Sequence, residues 1–171
     1  MALYLIPNGP MQTTVGFAKV TTGTALKTML KVRPGPTQNM RVVEWGISFD
    51  GSAAALPIMT ELIETGTIAG TVTASVSNDI TKWGSEALAG SLDPTTNILV
   101  VNTTSTGYTC TSEGTITAVR NFDLQLVAPT NGYVKQWPLG REPVLQANNI
   151  LRIRVTAGAA VNAYCYVIVE A

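Results

Sequence analysis

The carboxylates are the side chains of this chain that could do acid–base chemistry, because its 171 residues include no histidine. Without an imidazole, the usual serine and cysteine catalysis and the common zinc sites are excluded. Two acids that straddle a glycosidic bond can still hydrolyse it, and the candidates for such a pair are Glu44, Asp50, Glu61, Glu64 and Glu142. No spacing distinguishes a pair among the 11 acidic residues. We therefore predict that the protein is not an enzyme.

Asp50 and Gly51 follow the strand-like stretch VEWGISF and raise the question of a calcium site. Calcium needs several converging oxygen ligands, and the next residues, SAAA, supply almost none. Aspartate tolerates left-handed backbone and glycine reaches positive φ, so a turn that ends the strand is the simpler interpretation. Cys110 and Cys165 give no disulfide framework, and we expect two free thiols. The sequence thus predicts neither a metal nor a cofactor.

The composition is neutral and poor in charge. The chain has 11 basic and 11 acidic residues, and charged residues make up 13% of it, against about 25% in typical soluble domains. No Lys/Arg cluster occurs, so we predict no nucleic-acid partner. Neither a long apolar run nor a cleavable leader is present, which predicts no membrane contact and synthesis in a cytoplasm. A surface with so little charge favours association.

Strand-like alternation and β-branched residues dominate the chain, and helical periodicity is nearly absent. The predicted strands cover residues 13–20, 26–33, 40–50, 57–65, 67–76, 97–102, 115–127, 132–137, 149–156 and 161–170. This pattern predicts an all-β fold, a two-sheet antiparallel sandwich of jelly-roll type, in a single domain over residues 13–171. Residues 1–12 are predicted to be an extended N-terminal arm. Residues 77–114 are predicted to be a loop-rich insertion, in which residues 85–88 could form a short helix.

The stretch VEWGISFDGSAAALPIMTELIETG reads as a hairpin with two unlike strands. In the first strand Val43, Trp45, Ile47 and Phe49 share one parity, as in a strand with one buried face. The second strand carries apolar and polar groups on both faces. Its two alternating sets are Met59, Glu61 and Ile63 on one side and Ile58, Thr60 and Leu62 on the other. We therefore expect one of these sets to be covered by a loop, an arm or another subunit.

Arg120 interrupts the apolar parity of the predicted strand 115–127. Its head could reach water from a sheet edge, or it could pair with a carboxylate across a subunit boundary. The tryptophans raise a separate alternative, because exposed aromatic side chains are typical of carbohydrate-binding modules. Trp45 shares the parity of the core positions, whereas Trp83 and Trp137 lie beside glycine and proline and could form such a sugar platform.

Several stretches in a fixed order resemble the small β-sandwich head proteins of tailed bacteriophages, of the capsid decoration (cement) type. They are ISFDG, PIMTELIETGT, KWGSEA, GYVKQWPLGREPVL and RIRVTAGAAVNAYCYVIVE. The resemblance covers the chain from about residue 15 to its end and is weakest over residues 77–114. It implies a jelly roll, often a homotrimer, that sits on the outer surface of an icosahedral virion and bridges major capsid protein subunits. It implies no catalytic residue, and it carries over only the turn at residues 48–51 and a loop of fixed shape at residues 138–143.

We therefore expect a structural virion protein whose partners are the major capsid protein and copies of itself. The residues expected at subunit or capsid contacts are Met59, Glu61, Ile63, Arg120, Trp137, Arg141 and Glu142. The alternatives are a carbohydrate-binding module and another virion β-protein, from a head fibre or a tail.

Overall fold

The structure is a computed structural model that describes residues 2–52, 54–83 and 98–171. These residues form two antiparallel β-sheets around one apolar core. The strands are, in chain order, Leu3–Pro7 (β1), Val20–Thr21 (β2), Lys27–Val32 (β3), Met40–Phe49 (β4), Ile58–Glu64 (β5), Thr71–Ala74 (β6), Thr81–Trp83 (β7), Gly107–Ser112 (β8), Arg120–Val127 (β9), Gly132–Gln136 (β10), Val144–Leu145 (β11), Leu151–Thr156 (β12) and Asn162–Glu170 (β13).

The first sheet has the order β10-β4-β13-β1-β7, with β11 beside β4 and β2 beside β13. The second sheet has the order β6-β8-β3-β12-β5-β9. The predicted two-sheet antiparallel sandwich is therefore confirmed, while jelly-roll connectivity stays a prediction. Strand β9 is an edge of the second sheet and β10 an edge of the first. Because residues 128–131 alone connect them, both edges lie on the same side of the sandwich.

A bulge in β4 explains why residues from both alternating sets of this strand are buried in the core. Its pairing with β13 skips Val43, because Ile168 faces Glu44 and the next residue, Val169, faces Val42. The extra residue shifts the side-chain alternation. Val42 therefore faces the core together with Trp45, and both are 0% exposed, whereas Val43 is only half-buried.

The predicted β4–β5 hairpin is wrong, because β4 lies in the first sheet and β5 in the second. The chain passes from one sheet to the other between the end of β4 at Phe49 and the start of β5 at Ile58. The set facing the core of the single chain is Ile58, Thr60 and Leu62. The two halves of the stretch therefore differ because they pack in different sheets.

The predicted N-terminal arm is also wrong for residues 3–7. Strand β1 pairs with β13 on one side and with β7 on the other, and it places Tyr4 and Ile6 in the core. The exposed stretch is instead residues 10–19, where a strand was predicted and only Val20–Thr21 forms one. Pairing on both sides satisfies the backbone N–H and C=O groups of β1. Such pairing partners cannot be recognised from a short sequence pattern.

The predicted insertion at residues 77–114 contains two sheet strands. Strand β7 pairs with β1, and β8 pairs with β3 and β6. The predicted strand at residues 97–102 is reduced to isolated bridges at Leu99 and Val101. The helix considered at residues 85–88 lies outside the described residues. In the described part of the chain, no helix has the length and apolar character needed to cross a membrane.

Candidate interaction surface

The outer face of the second sheet carries an exposed apolar stripe on β5 and β9. Met59, Leu124 and Leu126 are 49%, 50% and 70% exposed. Met59 lies opposite Leu126 in the β5–β9 pairing, and Glu61 lies opposite Leu124. Together with Thr60 and Gln125, these side chains line a shallow groove of about 530 Å³. We call Met59, Leu124 and Leu126 the β5–β9 stripe.

The stripe faces solvent because the other parity of β9 is anchored inside the sandwich by Asp123, which is 7% exposed. The Asp123 carboxylate accepts hydrogen bonds from Trp45 Nε1 at 3.1 Å and Tyr133 OH at 2.9 Å. Gln125 Nε2 donates to it at 3.0 Å, and Lys135 Nζ lies 3.3 Å away. A buried carboxylate needs such partners. The polar parity therefore points inward and the leucines point outward.

The pKa of Asp123 reflects two opposed effects. Burial raises it, but the hydrogen bonds from Gln125, Tyr133 and Lys135, with the charge of Lys135, outweigh burial and hold the pKa below its ordinary value. Burial, and then the hydrogen bond to Asp123, raise the pKa of Tyr133 to about 12. Asp123 is therefore a carboxylate at neutral pH that joins β9 to both β4 and β10.

The other half of this outer face is covered by the chain's own loops. Lys31 Nζ donates to the carbonyl oxygens of Gly70 at 2.7 Å and Thr104 at 2.5 Å. Arg152 donates from Nε to Thr65 Oγ1 at 3.0 Å and from a terminal nitrogen to Ile68 O at 2.7 Å. We call the segments 65–70, 102–106 and 113–114 the cover, since they bury both cations.

The cover also contains an ion pair between a carboxylate and a buried cation, and a residue beside this pair corrects a prediction. Glu113 accepts a hydrogen bond from Arg152 at 3.0 Å, and Arg152 and Lys31 are both 0% exposed. Ile63 lies opposite Arg152 in the β5–β12 pairing and is also 0% exposed in the single chain. The prediction that Ile63 contacts another subunit is therefore wrong, because its side chain is already buried within the single chain.

Replacing Lys31 by methionine is expected to change how stability depends on alkaline pH. Burial, and then the nearby Arg152 guanidinium, lower the pKa of Lys31 from 10.5 to about 8. Between these two pH values Lys31 is protonated in the unfolded chain and deprotonated in the native chain. The free energy of unfolding of the wild-type protein therefore increases as pH rises. One pKa unit corresponds to about 1.4 kcal/mol, and we expect wild type to gain about 2 kcal/mol relative to Lys31→Met between pH 8 and 10.5.

Urea denaturation of both proteins at several pH values measures this difference. Tyrosine and cysteine titrations occur in both proteins and cancel in the comparison. A constant difference across this range would contradict a lowered Lys31 pKa.

Arg120 pairs within its own chain rather than across a predicted subunit boundary. Its guanidinium forms an ion pair with Glu64, donates to Val144 O at 2.5 Å and lies 5.0 Å from the ring centroid of Phe122. Glu64 is 4% exposed and also accepts the backbone N–H of Gln146 at 3.1 Å. The Arg120 side chain remains 49% exposed, so its head reaches water from the sheet edge while its charge is already matched.

The predicted contacts near residue 140 lie on the loop between β10 and β11. Trp137 is half-buried against the core, with Lys135 Nζ 5.4 Å from its ring centroid. The N–H of Arg141 donates to Pro138 O at 2.9 Å and closes a turn. Leu139 at the tip of this turn is 95% exposed. Arg141 is exposed and Glu142 half-buried, so this loop forms a second projecting feature, separate from the β5–β9 stripe.

The structure brings together only part of the predicted contact set. Met59 and Glu61 lie on the outer face of β5, and their neighbours in the groove, Leu124 and Leu126, were not among the predicted contacts. The apolar parity of β9 was visible in the sequence, but an apolar parity ordinarily faces a core. The polar residues Asp123 and Gln125 between the leucines were the available signal, and it becomes readable only when their partners are known.

The aromatic side chains do not form the predicted tryptophan platform. Trp83 lies on β7 and Trp137 follows β10, at opposite edges of the first sheet. A different group occurs on the outer face of that sheet, where Phe17 and Tyr164 have ring centroids 4.8 Å apart and Tyr164 and Tyr166 6.3 Å apart.

Asp50 and Gly51 lie directly after β4, at the crossing between the sheets. The Asp50 carboxylate binds Lys19 Nζ at 2.7 Å and accepts the N–H of Asn162 at 3.0 Å. The hydrogen bond from Lys19, followed by smaller contributions from Asn162, lowers the pKa of Asp50 despite opposing desolvation. A Cβ on Gly51 would lie 2.7 Å from Val161 and 2.9 Å from Pro129, and its φ is not positive. Close packing, and not left-handed backbone, therefore requires the glycine.

Neither a metal centre nor a reactive thiol is evident in the described part of the chain. No group of three or more His, Cys, Asp or Glu side chains there is arranged to hold a metal ion. Cys110 and Cys165 are free and buried, and burial raises the pKa of both thiols. Comparisons with protein-family models, with curated proteins and with solved structures find no match for this chain.

Proposed function

We propose that the chain is a structural virion protein that decorates the outside of an icosahedral phage head and cements neighbouring major-capsid subunits. The ordered resemblance to cement proteins suggests this role. The observation that carries it is the Leu139 turn, an apolar side chain held 95% exposed on a loop closed by its own hydrogen bond. An apolar side chain that projects from a turn can insert into a pocket on a partner's surface.

The charge distribution agrees with a position outside a shell. The chain has 11 basic and 11 acidic residues, and several of the cations are already engaged inside it, such as Lys31 and Arg152 in the cover. Binding to packaged DNA would require cations free to neutralise phosphates. A neutral sandwich fits a protein partner better.

The mechanism of cementing would be stabilisation by mass action. A protein that binds only the expanded shell adds its binding free energy to that state. If several copies act as one rigid unit, weak contacts to neighbouring capsid subunits reinforce one another. The homotrimer implied by the resemblance stays a prediction, and three-fold clusters of the protein on decorated heads would test it.

We expect Leu139→Asp to bind expanded heads of the parent phage at least about tenfold more weakly than wild type, because a carboxylate would enter an apolar contact. The substitution should leave folding nearly unchanged, since it lies on an exposed loop. Co-sedimentation with expanded and unexpanded heads measures binding. Val15→Asp is the matched control, because Val15 is 76% exposed on another loop.

Absence of wild-type binding to expanded heads would contradict the proposed role itself. Equal binding by wild type and Leu139→Asp would instead reject the Leu139 turn as the contact. A virion map would show directly whether the chain occupies the outer surface at local three-fold positions.

Carbohydrate binding remains a second candidate because of one observation, the aromatic group of the exposed Phe17 and the half-buried Tyr164 and Tyr166. Sugar rings stack on exposed aromatic faces, and the neighbouring Glu44 carboxylate, bonded to Tyr166 OH at 2.6 Å, could accept sugar hydroxyls. Binding to immobilised glycans that is lost in Tyr164→Ala, without binding to heads, would favour this function.

A further inference from the structure

We propose that two copies of this chain pair antiparallel through the free edge of β9, about a two-fold axis at Gln125, so that their second sheets join into one twelve-stranded sheet. This contact between copies goes beyond attachment to a shell. It does not require a capsid and can fail while head binding survives.

The backbone of β9 is available for such pairing. Among the described residues, strand β9 ends the second sheet and pairs only with β5. In an antiparallel pair alternate residues turn their N–H and C=O groups away from the partner. Gln125 faces β5, where Thr60 Oγ1 donates to its carbonyl at 3.3 Å. The N–H of Leu124 donates to the side chain of Asp123 at 3.1 Å, so this bond must be exchanged when Leu124 pairs with a second copy. We infer that Leu124 and Leu126 direct their backbone groups to the free edge.

The edge lacks the protection that soluble sheets usually have. Natural edge strands carry outward charges, prolines or bulges that prevent pairing with another chain. Between Asn121 and Val127 the sequence is NFDLQLV, with no proline and no lysine or arginine. Its single charge, Asp123, points into the sandwich and is bonded to Trp45, Tyr133 and Lys135. The bulge near Phe122 lies at one end of this stretch.

The side chains on this edge complement themselves under a two-fold rotation. An antiparallel pairing centred on Gln125 places Leu124 of one copy opposite Leu126 of the other, and the reverse, as an isologous contact requires. Met59 lies opposite Leu126 within each chain. The two β5–β9 stripes therefore merge into one apolar surface of six side chains. A register shifted by one residue would place the inward-facing side chains of one copy opposite the outward-facing side chains of the other.

The exposed area sets the strength of the contact. Each stripe consists of three side chains that are 49%, 50% and 70% exposed, and a contiguous exposed apolar patch on a monomer often marks an interaction site. A standard stable interface buries about 800 Å² per partner. The dimer should therefore be weak, with a dissociation constant of about 10–100 μM.

Gln125→Cys tests the register directly. Residues at the centre of a non-hydrogen-bonded antiparallel pair have Cα atoms about 4.5 Å apart, which is within the range of a disulfide. Both native cysteines are buried, so an intermolecular crosslink reports the introduced thiol. At about 100 μM under mild oxidation, we expect Gln125→Cys to form covalent dimers. Gln136→Cys, on the edge strand of the first sheet, is the matched control and should form no covalent dimer.

Leu126→Asp tests the interface without a crosslink. Sedimentation of wild type should show dimers that increase with concentration, and Leu126→Asp should weaken dimerisation at least about tenfold, because it places two like charges in the merged stripe. Val134→Asp is the control, since Val134 is 61% exposed on the edge of the first sheet.

Three results would overturn the proposed contact. They are a wild type that remains monomeric at several hundred micromolar, crosslinking that is no faster for Gln125→Cys than for Gln136→Cys, and association that Leu126→Asp leaves intact. Failure of head binding would not affect any of these measurements, so the two proposals can be judged separately.

Discussion

Replacing Glu113 by alanine is expected to lower the free energy of unfolding by about 3 kcal/mol, because it leaves the buried Arg152 guanidinium without its carboxylate. Arg152 and Lys31 are 0% exposed, and Glu113 forms the ion pair with Arg152 at 3.0 Å. The Glu113 carboxylate also accepts the N–H of Thr28 at 2.6 Å. The variant therefore loses charge compensation and a bond that attaches the cover to β3.

The pair of Arg154 and Glu61 provides the matched control on the same face. Their charged atoms are 2.8 Å apart, and both side chains retain access to solvent. Glu61→Ala should therefore cost less than about 1 kcal/mol. Urea denaturation midpoints at unchanged m-value measure both effects.

A double variant separates the charge effect from lost packing. Arg152→Met combined with Glu113→Ala should cost less than the sum of the two single changes, since the methionine needs no anion. Equal costs for Glu113→Ala and Glu61→Ala would contradict the view that the cover encloses an essential ion pair.

The sequence predicted the sandwich because apolar and polar residues alternate clearly along most of the strands. β3, β4, β5, β10, β12 and β13 fall within or beside their predicted ranges. Strand β1 was missed because its five residues, LYLIP, show no partner from sequence alone. Strand β8, GYTCTS, was missed because a threonine-rich segment with little apolar content resembles a loop until its pairing with β3 is known.

The buried cations could not be predicted from alternation. Arg152 and Arg154 both lie opposite in parity to the core residues of β12. That parity ordinarily predicts a solvated face. Yet Arg152 is 0% exposed while Arg154 is half-buried, because the cover lies over one part of the sheet and not over the other. Loop placement depends on contacts far apart in the chain, and a local pattern does not encode it.

The candidate surface was predicted only in part, again because the sequence pattern does not show which part of the sheet the loops cover. Mixed faces on β5 correctly indicated that its outer side is unusual, and Met59 is indeed exposed beside two leucines. Ile63, which lies four residues after Met59 on the same face of β5, is buried within the chain itself. The sequence thus identified the face but not the boundary between its free half and its covered half.

Replacing Asp123 by alanine should also destabilise the fold strongly, by about 3 kcal/mol, because it removes the acceptor of a buried donor. Trp45 is 0% exposed, and its Nε1–H donates to Asp123. Tyr133 and Lys135 lose the same partner. Since these bonds join β9 to β4 and β10, the loss should loosen the side of the sandwich that carries the proposed dimer edge.

Asp123→Asn separates the hydrogen bonds from the charge. An amide oxygen can still accept from Trp45, so this variant should cost less than Asp123→Ala at pH 7. The pKa of Asp123 lies below its ordinary value, so on acidification the unfolded chain takes up the proton first. The stabilisation is present above about pH 4 and is lost as pH falls through the native pKa. The difference in unfolding free energy between wild type and Asp123→Asn should therefore shrink from pH 5 to pH 2, whereas a difference independent of pH would show that the carboxylate charge adds nothing to this network.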